Sequence, residues 1–103
     1  MDKIALLSEI LTQNPQDAFA RYGLAMEQAS QGHFEASLAE FTRLLELHPD
    51  YTAGYFMSAQ TLLKAGQTDA AIERLKAGCA SARRTGNQHA LDEMQALLDE
   101  VDR

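Results

Sequence analysis

Residues 18–51 read AFARYGLAMEQASQGHFEASLAEFTRLLELHPDY and residues 52–85 read TAGYFMSAQTLLKAGQTDAAIERLKAGCASARRT; the two stretches superpose without a gap. At this offset of 34, Ala25 falls on Ala59, Gly32 on Gly66, Tyr22 on Phe56, Leu38 on Ile72 and Phe41 on Leu75, and the same step joins Pro15 to Pro49. One such pair means little. Six at a single offset mark an internal repeat. Inside the first stretch Phe34, Leu38, Phe41 and Leu45 recur at i, i+4, i+7 and i+11, which lines one side of a helix, and no strand-like alternation competes. Gly32 and Gly66 each follow a helical stretch, where a left-handed residue closes a helix, and Pro49 stops one after Leu47 and His48. Asp17 and Asp50 are candidate N-caps. The spacing predicts helices over about 3–13, 17–31, 34–47, 51–65, 68–84 and 88–102. Links of a few residues make successive helices antiparallel. The fold class is all-α.

The whole chain has 103 residues, 46% of them hydrophobic and 23% charged, which suits one domain, 1–103. At this size folding removes roughly two-thirds of the unfolded chain's surface from water, so neither a disulfide nor a metal is required. The single Cys79 has no internal partner in any case. Nine Lys and Arg against fifteen Asp and Glu give a net charge of −6, the wrong sign for a general nucleic-acid binder. The opening MDKIALLSE carries an acid at its start and breaks its apolar run after four residues, so it is not a secretory leader, and no later stretch is apolar enough to span a bilayer. The expectation is a cytoplasmic protein with no membrane partner.

The period and these residues resemble the tetratricopeptide repeat (TPR), a helix–turn–helix unit of 34 residues that stacks into a right-handed α-α superhelix. Two units match, Ala18–Tyr51 and Thr52–Thr85. The resemblance implies close approach of paired helices at the small residues Ala25 and Ala59, a turn at Gly32 and Gly66, and a small residue early in each second helix, Ser37 and Ala71. The bulky residue one turn later is Phe41 or Leu75, and Pro49 closes the first unit. Departures are Arg21 where the family has a large aromatic, kept as Tyr55 in the second unit, Gln28 in place of a tyrosine, and Arg83 in place of the second closing proline. Without that proline the fifth helix need not stop on schedule.

The flanks follow from this frame. Residues 3–13 read as the second helix of a unit whose first helix is missing, leaving Ile4, Leu7, Ile10 and Leu11 one sequence neighbour to pack against. This incompletely covered set is the candidate surface for self-association into homo-oligomers. At the other end, Leu91, Met94, Leu98 and Val101 fall at i, i+3, i+7 and i+10, with Asp92, Glu93, Asp99, Glu100 and Asp102 elsewhere around the helix. Residues 88–102 therefore read as a capping helix, apolar inward and acidic outward.

Nothing in the chain points to catalysis or to a cofactor. His33 and His48 sit in turns, His89 in the first turn of the last helix, and no two have the i, i+4 spacing that clamps a metal. Cys79 falls on an inward helix face beside Gly78 and reads as a small hydrophobe. Adjacent acids such as Asp92 and Glu93 point about 100° apart on a helix and do not converge. No phosphate loop, CxxC pair or nucleophile elbow occurs. Charge is uneven: residues 1–50 carry 3 bases and 8 acids, 51–85 carry 5 and 2, and 86–103 carry 1 and 5. Arg83 and Arg84 close the fifth helix, where cations oppose the negative end of its dipole; the alternative is that they receive an acidic segment of a partner or of the last helix.

The resemblance implies that the first helices of the two units line a concave groove that grips a peptide or helix of another protein. The matching residues are Phe19, Tyr22 and Met26 in the first unit and Phe56, Met57, Gln60 and Lys64 in the second. A subgroup of the family holds acidic chaperone tails with a carboxylate clamp that begins with lysine and asparagine. Tyr22 and Met26 stand in those places, so a chaperone-tail carboxylate would lose hydration with little return. Aromatic and methionine side chains favour an apolar partner segment instead. The competing reading is that these residues are core, covered by a terminal helix. The sequence thus describes a non-catalytic interaction module, an adaptor or scaffold, whose partner it does not name.

Overall fold

The computed structural model describes residues 2–103 and contains six helices: α1 (Lys3–Gln13), α2 (Ala18–Ser30), α3 (Phe34–Leu47), α4 (Thr52–Lys64), α5 (Thr68–Thr85) and α6 (Gln88–Val101). Each boundary has a local cause. Asp2, Asp17 and Asn87 cap α1, α2 and α6, their side-chain oxygens accepting from the amides of Ala5, Ala20 and Ala90 at 2.8, 2.9 and 3.1 Å. The α2–α3 and α4–α5 turns pivot on Gly32 and Gly66, at φ +81° and +77°, which side chains with a Cβ disfavour. α5 has 18 residues against 14 in α3. With arginine in place of the closing proline it runs on to Thr85 and ends at Gly86, φ +67°.

Asp50 does not cap α4. The cap position is Tyr51, which makes no side-chain capping bond, so Asp50 lies one residue too early for its carboxylate to reach the first amides. It accepts instead from Arg84, at 3.0 Å from Nε and 2.7 Å from Nη2, and from Ser81 Oγ at 3.3 Å. Arg84 is therefore committed to a tertiary contact that ties the α3–α4 corner to the end of α5, rather than acting on the helix dipole alone.

The helices stack in chain order. α2 pairs with α3 and α4 with α5, α1 packs on α2 and α3 on α4, and α6 packs on α5 with a lighter contact to α4. The core runs along this stack in three groups: Leu11, Ala20 and Leu24; then Ala25, Phe41 and Leu44; then a larger group around Tyr55, Ala59, Leu75, Cys79 and Met94. Small residues set the spacing. Ser37, fully buried, donates to the carbonyl of Ala25 at 2.7 Å, a contact that needs α2 and α3 close together. Gly78 is enclosed against Tyr55 and Met94.

Arg21 and Tyr55 occupy the same place in successive units and solve one problem with different chemistry. Tyr55 donates its hydroxyl to the Pro49 carbonyl at 2.6 Å, and Arg21 donates Nη2 to the Pro15 carbonyl at 3.0 Å. Arg21 also pairs with Glu40 on α3 at 2.6 Å, both side chains being largely covered. Replacing Arg21 by Ala should cost about 1–2 kcal/mol, since hydrogen bonds to charged groups are lost and Glu40 is left partly desolvated. Urea denaturation checks this, with a fall in midpoint at unchanged slope as the expected result.

On α1 the structure revises the proposed apolar face. Leu11 is buried with Ala20 and Leu24, and Ile4 and Leu7 pack against that group. Of the four residues named from the sequence only Ile10 is exposed, at 38%, and Leu6 joins it at 49%. The inward stripe is Ile4, Leu7 and Leu11, and Ile10 lies one helical step aside from it.

Candidate functional site

α2, α4 and α6 share one side of the stack and enclose a pocket of about 240 Å³. Tyr22 contributes one wall and Phe56 and Met57 the next; Ala90, Glu93 and Met94 on α6 form the third. Tyr22 is fixed from behind. Its ring meets Phe41 edge-on at 6.2 Å between centroids and Tyr51 at 5.3 Å. Burial raises its phenol pKa above the ordinary value and the neighbouring Tyr51 adds to this, so the hydroxyl stays neutral.

Of the seven groove residues named from the sequence, the pocket brings together Tyr22, Phe56 and Met57. Met26 is half-buried against the group formed by Ala25, Phe41 and Leu44. Gln60 is half-buried and Lys64 exposed at the end of α4, and neither lines the pocket. Phe19 is 78% exposed on the first turn of α2 and also stands outside it.

The sequence reading missed the α6 wall. It treated α6 as a cap with its acids turned away, whereas Glu93 lines the pocket and stands 3.4 Å from His89, which lines it too. A signal was present: Tyr22, Phe56 and Ala90 are separated by two successive steps of 34. α6 therefore stands where the first helix of a third unit would stand. Neither terminal helix lies across the pocket, since α1 contacts only α2 and α6 is a wall.

The other titratable groups have structural surroundings. Cys79 is buried, and burial pushes its thiol up, away from the thiolate that reacts. The His48 ring is 2.9 Å from the Gln16 carbonyl. Among the described residues no three His, Cys, Asp or Glu side chains are gathered so as to hold a metal ion, and no helix is long and apolar enough to cross a membrane.

Comparison with known proteins accounts for this architecture. The family model for the tetratricopeptide repeat matches residues 28–98. The chain belongs to the tetratricopeptide repeat family. That family is generally a non-catalytic protein-interaction fold. The chain is 28% identical over 97 residues to the TPR repeat-containing protein PA0015 of Pseudomonas aeruginosa, covering 94% of this chain and 92% of that protein. A solution structure of a TPR domain protein from Salinibacter ruber superposes with a TM-score of 0.80 at 33% identity, over 85% of this chain and 89% of the other. The TPR2B domain of yeast Sti1, solved in complex with pHsp70, superposes with a TM-score of 0.88 at 19% identity, over 96% and 79% of the two chains. The six helices thus form a right-handed α-α superhelix of the TPR type.

Proposed function

We propose that the chain is a non-catalytic adaptor that holds an apolar segment of a partner protein in the pocket between α2, α4 and α6. The observation that carries this reading is the convergence of three repeat-equivalent positions, Tyr22, Phe56 and Ala90, on one partly open apolar pocket. Tyr22 and Phe56 offer large, stiff contact surfaces at small entropic cost, and Met57 adapts to the shape presented to it. The small Ala53 and Ala90 leave room for an inserted side chain. The Sti1 domain's complex with pHsp70 supports a peptide as the type of ligand. The residues argue for a different peptide chemistry, because Tyr22 and Met26 stand where a carboxylate clamp needs lysine and asparagine.

The test is affinity capture from the native cell, quantified for wild-type and variant baits. Phe56→Ala should weaken capture of the partner about 30-fold, the effect of removing an aromatic anchor worth about 2 kcal/mol. Ala53→Arg, at an exposed rim position, should do the same by filling the pocket without disturbing the core. Unchanged capture by both variants excludes the pocket as the site.

A second reading is favoured by the exposed pair Leu6 and Ile10. On this reading the chain associates with itself through α1. Of the set proposed from the sequence, Ile10 remains part of that surface, while Ile4, Leu7 and Leu11 support it from within.

A further inference from the structure

Two exposed features have no part in the concave pocket. One is the free face of α1, where Leu6 and Ile10 flank Glu9, a carboxylate without an ion pair among the described residues. The other is a cleft of about 470 Å³ between α3 and α5. Leu45 and Tyr55 give it an apolar lining, and Ala70 and Ala77, about two helical turns apart on α5, keep one wall low. Three charged residues line it. Glu46 is 3.7 Å from Arg43 and Glu73 is 3.3 Å from Lys76, so both carboxylates have cations of their own. Among the described residues Arg74 has none: there its guanidinium reaches only the hydroxyls of Ser58 and Thr42, at 3.3 and 3.4 Å. Partial burial already disfavours its charge.

We propose that α1 of one copy docks in the α3–α5 cleft of a second copy, with Leu6 and Ile10 on the apolar lining and Glu9 paired with Arg74. This rests on the self-association reading and adds the surface that receives the helix. Three features are complementary: two aliphatic side chains meet an apolar cleft, a carboxylate meets a guanidinium lacking one, and the alanines admit a helix closely, while the carboxylates of Glu46 and Glu73 are held by Arg43 and Lys76. The other surfaces of the chain fit less well. Pairing α1 with α1 brings two Glu9 carboxylates into one seam. Pairing it with the free side of α6 sets Glu9 against Asp92, Asp99 and Glu100. The contact joins unlike surfaces, so it closes reciprocally between two copies or continues from copy to copy. One helix of 11 residues, about 16 Å long, covers less than a standard interface, so association is weak and needs high concentration.

The test is sedimentation equilibrium of the full chain over a wide concentration range. Glu9→Arg and Arg74→Glu should each raise the apparent dissociation constant at least about tenfold, as like charges then face one another. An equimolar mixture of the two variants should recover association, because each variant's α1 again opposes an opposite charge in the other's cleft. Ala77→Glu, exposed on the cleft wall, should weaken association without touching the core and stands in for Arg74→Glu should that variant fold poorly. Loss with Glu9→Arg alone, while the cleft variants associate normally, overturns the cleft and leaves self-association through α1 standing. A wild-type chain that is monomeric at every concentration overturns both.

Discussion

Phe41→Ala is expected to lower the unfolding free energy by about 3–5 kcal/mol, a large share of the 5–15 kcal/mol typical of small domains. Phe41 is fully buried and sits with Ala25 and Leu44 where α2 and α3 close on each other. The neighbours fix the size of the loss. Ala25 has no side chain to swing into the vacated volume, and the Ser37 bond to the Ala25 carbonyl holds the two helices at their present distance. The effect also reaches the pocket, because the edge contact that orients Tyr22 disappears. Chemical denaturation of Phe41→Ala and Phe41→Leu measures the stability term, and Phe41→Leu should recover most of it by keeping the volume. A loss under 1 kcal/mol for Phe41→Ala would mean that the α2–α3 seam collapses freely.

Gly78→Ala tests packing against intrinsic preference. In an open helix this change stabilises, by up to about 1 kcal/mol. Here the added Cβ would stand 2.6 Å from Tyr55 Cβ and closer still to Met94 Sδ. The Met94 side chain has rotamers to try, but it is fully buried, and Tyr55 Cβ moves only with the backbone of α4. We therefore expect net destabilisation of about 1–3 kcal/mol. Each kcal/mol lowers Tm by about 4–8 °C at this chain length. Gly78→Val should be worse, and α6 the first element to lose its seat, with protection of its amides in hydrogen exchange falling before that of α2 and α3. A rise in Tm for Gly78→Ala would show that α6 is held less closely than the structure describes.

How much of this was readable from the residues depended on whether the cause was local. Helix ends were, since Gly32, Gly66 and Pro49 act on the backbone where they stand, and the observed boundaries differ from the expected ones by at most one residue. The overrun of α5 was visible in Arg83. The role of Asp50 was not: an acid before a helix looks the same one residue out of register, and its partner Arg84 lies 34 residues away. The pairing of Arg21 with Glu40, 19 residues apart, was hidden for the same reason. On α1 the periodicity grouped Ile4, Leu7, Ile10 and Leu11 as one incompletely covered face because a helix stripe is broad, and only packing on α2 decided that Ile4, Leu7 and Leu11 are the covered edge and Ile10 the open one. The α6 wall was missed because Ala90, unlike Tyr22 and Phe56, is too common a residue to stand out in a repeat.

With an outer helix first and an inner helix last, α2 and α4 are each flanked by outer helices on both sides, and the chain's ends belong to α1 and α6. A 34-residue cassette spliced between Tyr51 and Thr52 would meet matching surfaces fore and aft. The molecule is in that sense modular at its middle, open to lengthening there while its two terminal helices stay as they are.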